Sequence, residues 1–83
     1  MIIQADGFKL TDALRDYTKS KLKKLDRYNL TNLKCLLKID GRDQIVEIVA
    51  DDRFLKTTGG DMYSTVVKAV NAMQIILGKH CEQ

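Results

Sequence analysis

The chain has 83 residues, with 14 Lys plus Arg against 11 Asp plus Glu and a formal net charge of +3. That length predicts one domain over residues 1–83 with a thin core, which leaves no room for a separate catalytic module. Hydrophobic residues make up 45% and charged residues 30%, a balance that belongs to a folded domain and excludes a disordered tail. No apolar run approaches the roughly 18 residues of a membrane span, and the opening MIIQADGFK lacks the basic-then-apolar order of a secretory signal. Cys35 and Cys81 are too far apart to read as a metal-ligand motif or a disulfide framework. The expectation is a small, soluble, cytoplasmic protein with no metal and no cofactor.

Along the chain, Met1 to Ala5 reads as a strand stopped by the turn pair Asp6-Gly7. Thr11 is a helix cap, with Asp12 and Asp16 favourable in the first turns. Leu14, Thr18, Leu22 and Leu25 then recur at helical spacing, which predicts a first helix over residues 11–27 that ends near Asn29. Residues 32–40 alternate instead: Leu33, Cys35, Leu37 and Ile39 share one face, with Lys34, Leu36, Lys38 and Asp40 on the other. The turn at residues 40–43 leads into a strand from Gln44 to Ala50, and Asp51-Asp52 turns into another from Arg53 to Thr58. Such short turns predict an antiparallel meander. Gly59-Gly60 breaks the chain and Asp61 caps a last helix, with Gly78 as its C-terminal cap and Lys79 and His80 favourable at that end. Met62, Val66, Val70, Met73 and Leu77 form its apolar stripe, widened by Val67, Ala69, Ile75 and Ile76.

The predicted order is β-α-β-β-β-α. A right-handed crossover pairs the first two strands in parallel, and two helices cover one face of a four-stranded sheet. This is an α+β two-layer sandwich with the second sheet face open.

Catalysis finds no support in these residues. His80 is the only histidine and lies beside the terminus, Cys35 falls on the apolar face of its strand, and Gly59-Gly60-Asp61 would repel an anion. No set of nucleophile, base and oxyanion stabiliser can be assembled, which points to a binding protein. Charge is the more informative feature. Residues 1–28 hold seven bases against four acids, whereas residues 29–83 hold seven of each, so the whole excess sits in the first third. Arg15, Lys19, Lys23 and Arg27 follow one another at four-residue steps, a slowly drifting stripe roughly opposite the leucine face. Lys24 lies beside the stripe, and Lys21 lies nearer the core boundary, where its stem has to snorkel. Such a stripe fits an ordinary solvated face, and it equally fits contact with a phosphate backbone. Tyr17, Tyr28 and Tyr63 fall at element ends or boundaries, so recognition by shape and charge is expected rather than by base stacking.

Several segments resemble the ribosome hibernation-promoting factors and ribosome-associated inhibitors. Leu10-Thr11-Asp12-Ala13-Leu14-Arg15-Asp16-Tyr17, with Lys21, Lys24-Leu25 and Tyr28, resembles the family's first helix. Leu37-Lys38-Ile39 resembles its second strand, Asp61-Met62-Tyr63 the opening of its last helix, and Lys79-His80 its basic ending. The resemblance implies a factor that binds the small ribosomal subunit and its rRNA near the decoding centre. There it blocks tRNA and mRNA and holds ribosomes idle under stress. It assigns RNA contact to Arg15, Lys21, Lys24, Lys38 and Lys79, while Lys19, Lys23 and Arg27 rest on helix geometry alone. The chain departs from the family pattern at Val67, Ala72, Ile75 and Cys81, which reduces the basic surface mainly to the first helix. It ends after the last helix, without the acidic tail of some short members or the additional domain of long ones, so a short form is expected. The extra apolar residues raise a rival reading: a protein-interaction module that forms a homodimer through the last helix and has lost ribosome binding. Binding of free double-stranded RNA is a third reading, by analogy of fold.

Overall fold

A computed structural model describes the backbone of residues 1–81 and the side chains of residues 1–78. In chain order the elements are β1 (Ile2–Asp6), α1 (Asp12–Leu22), a 3₁₀ segment (Lys23–Tyr28), β2 (Leu33–Asp40), β3 (Asp43–Ala50), β4 (Arg53–Gly59) and α2 (Met62–Cys81). The sheet order is β1-β2-β3-β4. β1 runs parallel to β2, with Ile3 opposite Cys35 and Ala5 opposite Leu37, as the helical crossover requires. The β2–β3 and β3–β4 pairs are antiparallel. Their turns open on a positive φ, supplied by Gly41 at 62° and Asp51 at 55°. Aspartate tolerates that conformation, and here its carboxylate is also used: Asp51 Oδ1 accepts the backbone N–H of Thr31 at 3.0 Å and of Asn32 at 2.7 Å. Asp51 at this turn thereby holds the approach to β2.

Strand alternation places Leu33, Cys35 and Leu37 of β2 on the same face as Val46, Ile48 and Ala50 of β3, and all six are buried. Leu14, Leu22 and Leu25 come down on that face from one side, and Met62, Val66, Ala69, Val70, Met73 and Leu77 from the other. Cys35 is a core residue as expected, and burial pushes its thiol up to about 12. The α+β two-layer sandwich read from the sequence is the observed fold, with the opposite sheet face open.

Two local expectations need correction. The first helix does not continue at α spacing to residue 27; it tightens to 3₁₀ geometry at Lys23. In a 3₁₀ turn residues i and i+3 eclipse, so Leu25 and Tyr28 both turn inward. Leu25 is fully buried, and the Tyr28 hydroxyl donates to the Gln74 carbonyl at 3.4 Å. An α continuation would swing Tyr28 about 60° away from that partner. Asn29, at φ 53°, then ends the segment where expected. Gly78 does not cap the last helix, which runs on to Cys81. Helix interiors tolerate a glycine at a cost of about 1 kcal/mol, and the buried Leu77 anchors this last stretch to the core. Among the described residues, no helix is long and apolar enough to cross a membrane.

Candidate nucleic-acid interface

Thr11 sets the rotation of α1. Its Oγ1 accepts the Leu14 N–H at 3.2 Å, which satisfies one of the free donors at a helix start. Leu14, Thr18 and Leu22 then point inward, and Arg15, Lys19, Lys23, Lys24 and Arg27 are all exposed. The four-residue stripe nevertheless breaks. At 100° per residue in the α portion and 120° in the 3₁₀ portion, the cations separate into two rows. Arg15, Lys19 and Lys23 follow the flank away from α2. Lys21, Lys24 and Arg27 follow the flank that faces α2. Arg27 thus leaves the row in which sequence spacing placed it, because the same tightening that buries Tyr28 moves it.

The two rows differ electrostatically. The first is tempered by acids: Asp12 Oδ1 lies 3.6 Å from Arg15 Nη1, with both side chains more than half exposed, and Asp26 eclipses Lys23 in the 3₁₀ turn. The second row has no acid along it. Lys21 is half-buried, and its Nζ lies 5.2 Å from the centre of the Tyr17 ring. The Arg27 guanidinium lies 5.5 Å from the centre of the Tyr28 ring. These contacts lay the cationic side chains over aromatic faces.

α2 forms the facing wall. Asp61 Oδ2 accepts the Ser64 N–H at 3.0 Å and so caps the helix, and Met62–Cys81 contains no Asp or Glu. Tyr63 meets α1 and the Gln74 carbonyl meets the 3₁₀ segment, and Val67 follows Tyr63 one turn on. The Tyr17 and Tyr63 rings meet edge to face, with centres 4.8 Å apart and planes at 70°. Sequence reading missed this pair, since its members lie at separate element boundaries. The one available signal was that Tyr17 stands four residues before Lys21 on a single helix flank. On the solvent crest of α2, Ile75 is 59% exposed, but Lys68 and Asn71 on the same crest are polar and exposed. Met62, Val66, Ala69, Val70, Met73, Ile76 and Leu77 of the wide apolar stripe pack into the chain's own core and Val67 is half-buried, so the crest carries no contiguous apolar patch.

Lys38 stands apart from this surface. It lies on the open sheet face, between Asp6 and the buried Ile45 in register, with the sheet between it and both helices. The side chain of Lys79 lies outside the described residues, as do those of His80 and Cys81. Among the described residues, no group of three or more His, Cys, Asp or Glu side chains is arranged to hold a metal ion.

Over residues 1–83 the chain matches the family model described as sigma 54 modulation protein / S30EA ribosomal protein. Two solved structures share its fold. The N-terminal domain of Protein Y from Thermus thermophilus is 26% identical with a TM-score of 0.77, covering 95% of this chain and 94% of that one. A ribosomal subunit interface protein from Coxiella burnetii is 23% identical with a TM-score of 0.83, covering both chains completely. No curated protein sequence matches.

Proposed function

Because the chain belongs to the sigma 54 modulation protein / S30EA ribosomal protein family, a family of ribosome-associated factors and not of enzymes, we propose that it is a hibernation-type factor that binds the small ribosomal subunit. Its single domain over residues 1–83 lies against ribosomal RNA through α1 and the 3₁₀ segment, with Arg15, Lys19, Lys21, Lys23, Lys24 and Arg27 on phosphates. By covering RNA that messenger and tRNA must reach, it keeps the subunit idle, and it works in the cytoplasm where that subunit is.

The observation that carries this reading is the exposure of cations along α1 and the 3₁₀ segment, with an acid-free row facing an α2 that itself has no Asp or Glu. Phosphate binding needs several cations disposed along a path. Lys38, on the far face of the sheet, reaches the same RNA only where the RNA wraps around the sheet end. Dimerisation through the last helix has little to support it, since that helix is mostly occupied by its own core.

Sedimentation with purified small subunits tests the proposal. If about four phosphates are neutralised, affinity falls roughly a hundredfold between 50 and 200 mM salt. Absence of co-sedimentation at the lower salt removes the proposal.

A further inference from the structure

The sheet has two outer edges, β1 and β4, and they are protected differently. On β4, Lys68 Nζ donates to the Thr58 carbonyl at 3.4 Å, and Lys56 adds an exposed charge. Lysines of this kind blunt an edge against pairing with another chain. β1, Ile-Ile-Gln-Ala-Asp, contains no lysine, arginine or proline. An open hollow of about 560 Å³ is lined by Ile3, Gln4, Ala5 and Asp6 and walled by Phe8 and Leu10. Ile3 and Ala5 stand on the helical side, in register with Cys35 and Leu37, and Gln4 and Asp6 on the open side. A hollow that touches all four therefore lies along the free edge of the strand. Ile3, Phe8 and Leu10 pack against the core yet stay only half-buried, so the core is left unfinished there. α1 packs on β1, whereas α2 packs on β3 and β4, so the α1 flank away from α2 stands over the same edge. Charge on that side is ordered along the helix: Asp12 and, nearer the crest, Asp16 come first, and Lys19 and Lys23 follow.

We propose that β1 pairs antiparallel with β1 of a second copy of this chain, about a two-fold axis at Gln4, which joins the two sheets into one. The same patch then serves both copies, as a two-fold contact requires. Gln4 faces Gln4 of the second copy, and their amides can bond to each other. On the helical side Ile3 faces Ala5 of the second copy. A large side chain thus meets a small one, and each Ile3 enters the hollow that Phe8 and Leu10 wall in the other chain. The two α1 helices also run antiparallel across the axis. The Asp12/Asp16 half of one lies against the Lys19/Lys23 half of the other, so opposite charges meet along the whole flank. This accounts for the acids on that row, which weaken it as a phosphate-binding surface. The inference does not depend on the RNA-binding reading. A strand of five residues is only about 17 Å long, so the contact sits at the small end of specific interfaces and the dimer is reversible.

Sedimentation equilibrium of the purified chain, from micromolar to millimolar concentration at low salt, tests the proposal. The apparent mass is expected to rise with concentration toward twice the 9.4 kDa of one chain, and added salt should weaken the association. Gln4→Lys sets two ammonium groups against each other at the axis and should weaken it about tenfold. Gln4 is exposed, so this variant keeps its fold. Lys19→Glu with Lys23→Glu should also weaken the dimer, and adding Asp12→Lys with Asp16→Lys should restore it. A second readout locates the contact. Directly opposed residues of an antiparallel pair hold their Cβ atoms roughly 5 Å apart. In a Cys81→Ser background, with Cys35 buried, Gln4→Cys should therefore form a disulfide-linked dimer under oxidised glutathione, and Lys56→Cys on the β4 edge should not. A mass that stays at 9.4 kDa at millimolar concentration overturns the proposal. So does a dimer that Gln4→Lys leaves intact, or equal cross-linking at Gln4→Cys and Lys56→Cys.

Discussion

The two helices lie on one sheet face and share one core, yet they use their surfaces in opposite ways. α2 is long and devoted to packing: Met62, Thr65, Val66, Ala69, Val70, Met73 and Leu77 are buried, and Lys68 is the only described cationic side chain on it. α1 is half as long, turns only Leu14, Thr18 and Leu22 fully inward, and passes into a 3₁₀ segment. Leu25 is the one further buried side chain on that first arm, and most of the remainder is exposed and much of it positive. The lesson is a division of labour in a chain too small for a thick core. One helix supplies the apolar contact that the sheet needs, which leaves the other free to present charge that contributes little to folding.

The sharpest way to break this contrast is to truncate the packing helix. Met73→Ala removes a fully buried side chain and should cost about 2–5 kcal/mol, read as a lower midpoint in urea. A loss under 1 kcal/mol would show that α2 is not the main source of stability.

The core beneath both helices offers a pH test. Burial raises the Cys35 thiol from 9.0 to about 12, so the folded chain holds a proton that the unfolded chain releases sooner. Its contribution is therefore complete below pH 9 and is lost as pH climbs from about 9 to 12. Alkaline unfolding curves should show this decline, and Cys35→Ala should flatten it. In a Cys81→Ser background the native Cys35 should also resist thiol reagents until the protein unfolds.

Helix starts give a smaller effect and a direct control. Thr11 and Asp61 each accept one N–H from the first turn of their helix, so Thr11→Ala and Asp61→Ala should each cost about 1 kcal/mol. Similar losses at both caps would show that α1 and α2 differ in their surfaces and not in how they begin. The smallest stability change belongs to the cations: Lys23→Gln with Lys24→Gln should stay within about 0.5 kcal/mol, since both side chains are exposed.

Much of the fold was legible because it rests on local periodicity. The alternation of Leu33, Cys35 and Leu37 identified a strand and its buried face, and Thr11 and Asp61 marked both helix starts. What escaped was decided by distant partners. Residues 23–28 read equally well as α or 3₁₀ helix, and Tyr28 reaching Gln74 selects between them. That selection moves Arg27 to the α2-facing row, which no spacing rule within the first helix contains. Tyr17 and Tyr63 likewise become a pair only when the helices align. Lys38 shows the converse. Alternation alone already put it on the face opposite the helices, and the register confirms that position, so its motif resemblance does not bring it to the helical surface.

The most direct test of the account is the salt dependence of binding to small ribosomal subunits, measured for the unmodified chain and for Lys21→Gln/Lys24→Gln/Arg27→Gln. If this row holds phosphates of ribosomal RNA, the slope of log K against log salt should fall by about 2 to 3, at roughly 0.7–0.9 per lost contact, while the urea midpoint stays nearly constant. An unchanged slope, with binding intact, would contradict the claim that α1 and its 3₁₀ extension form the RNA-binding surface.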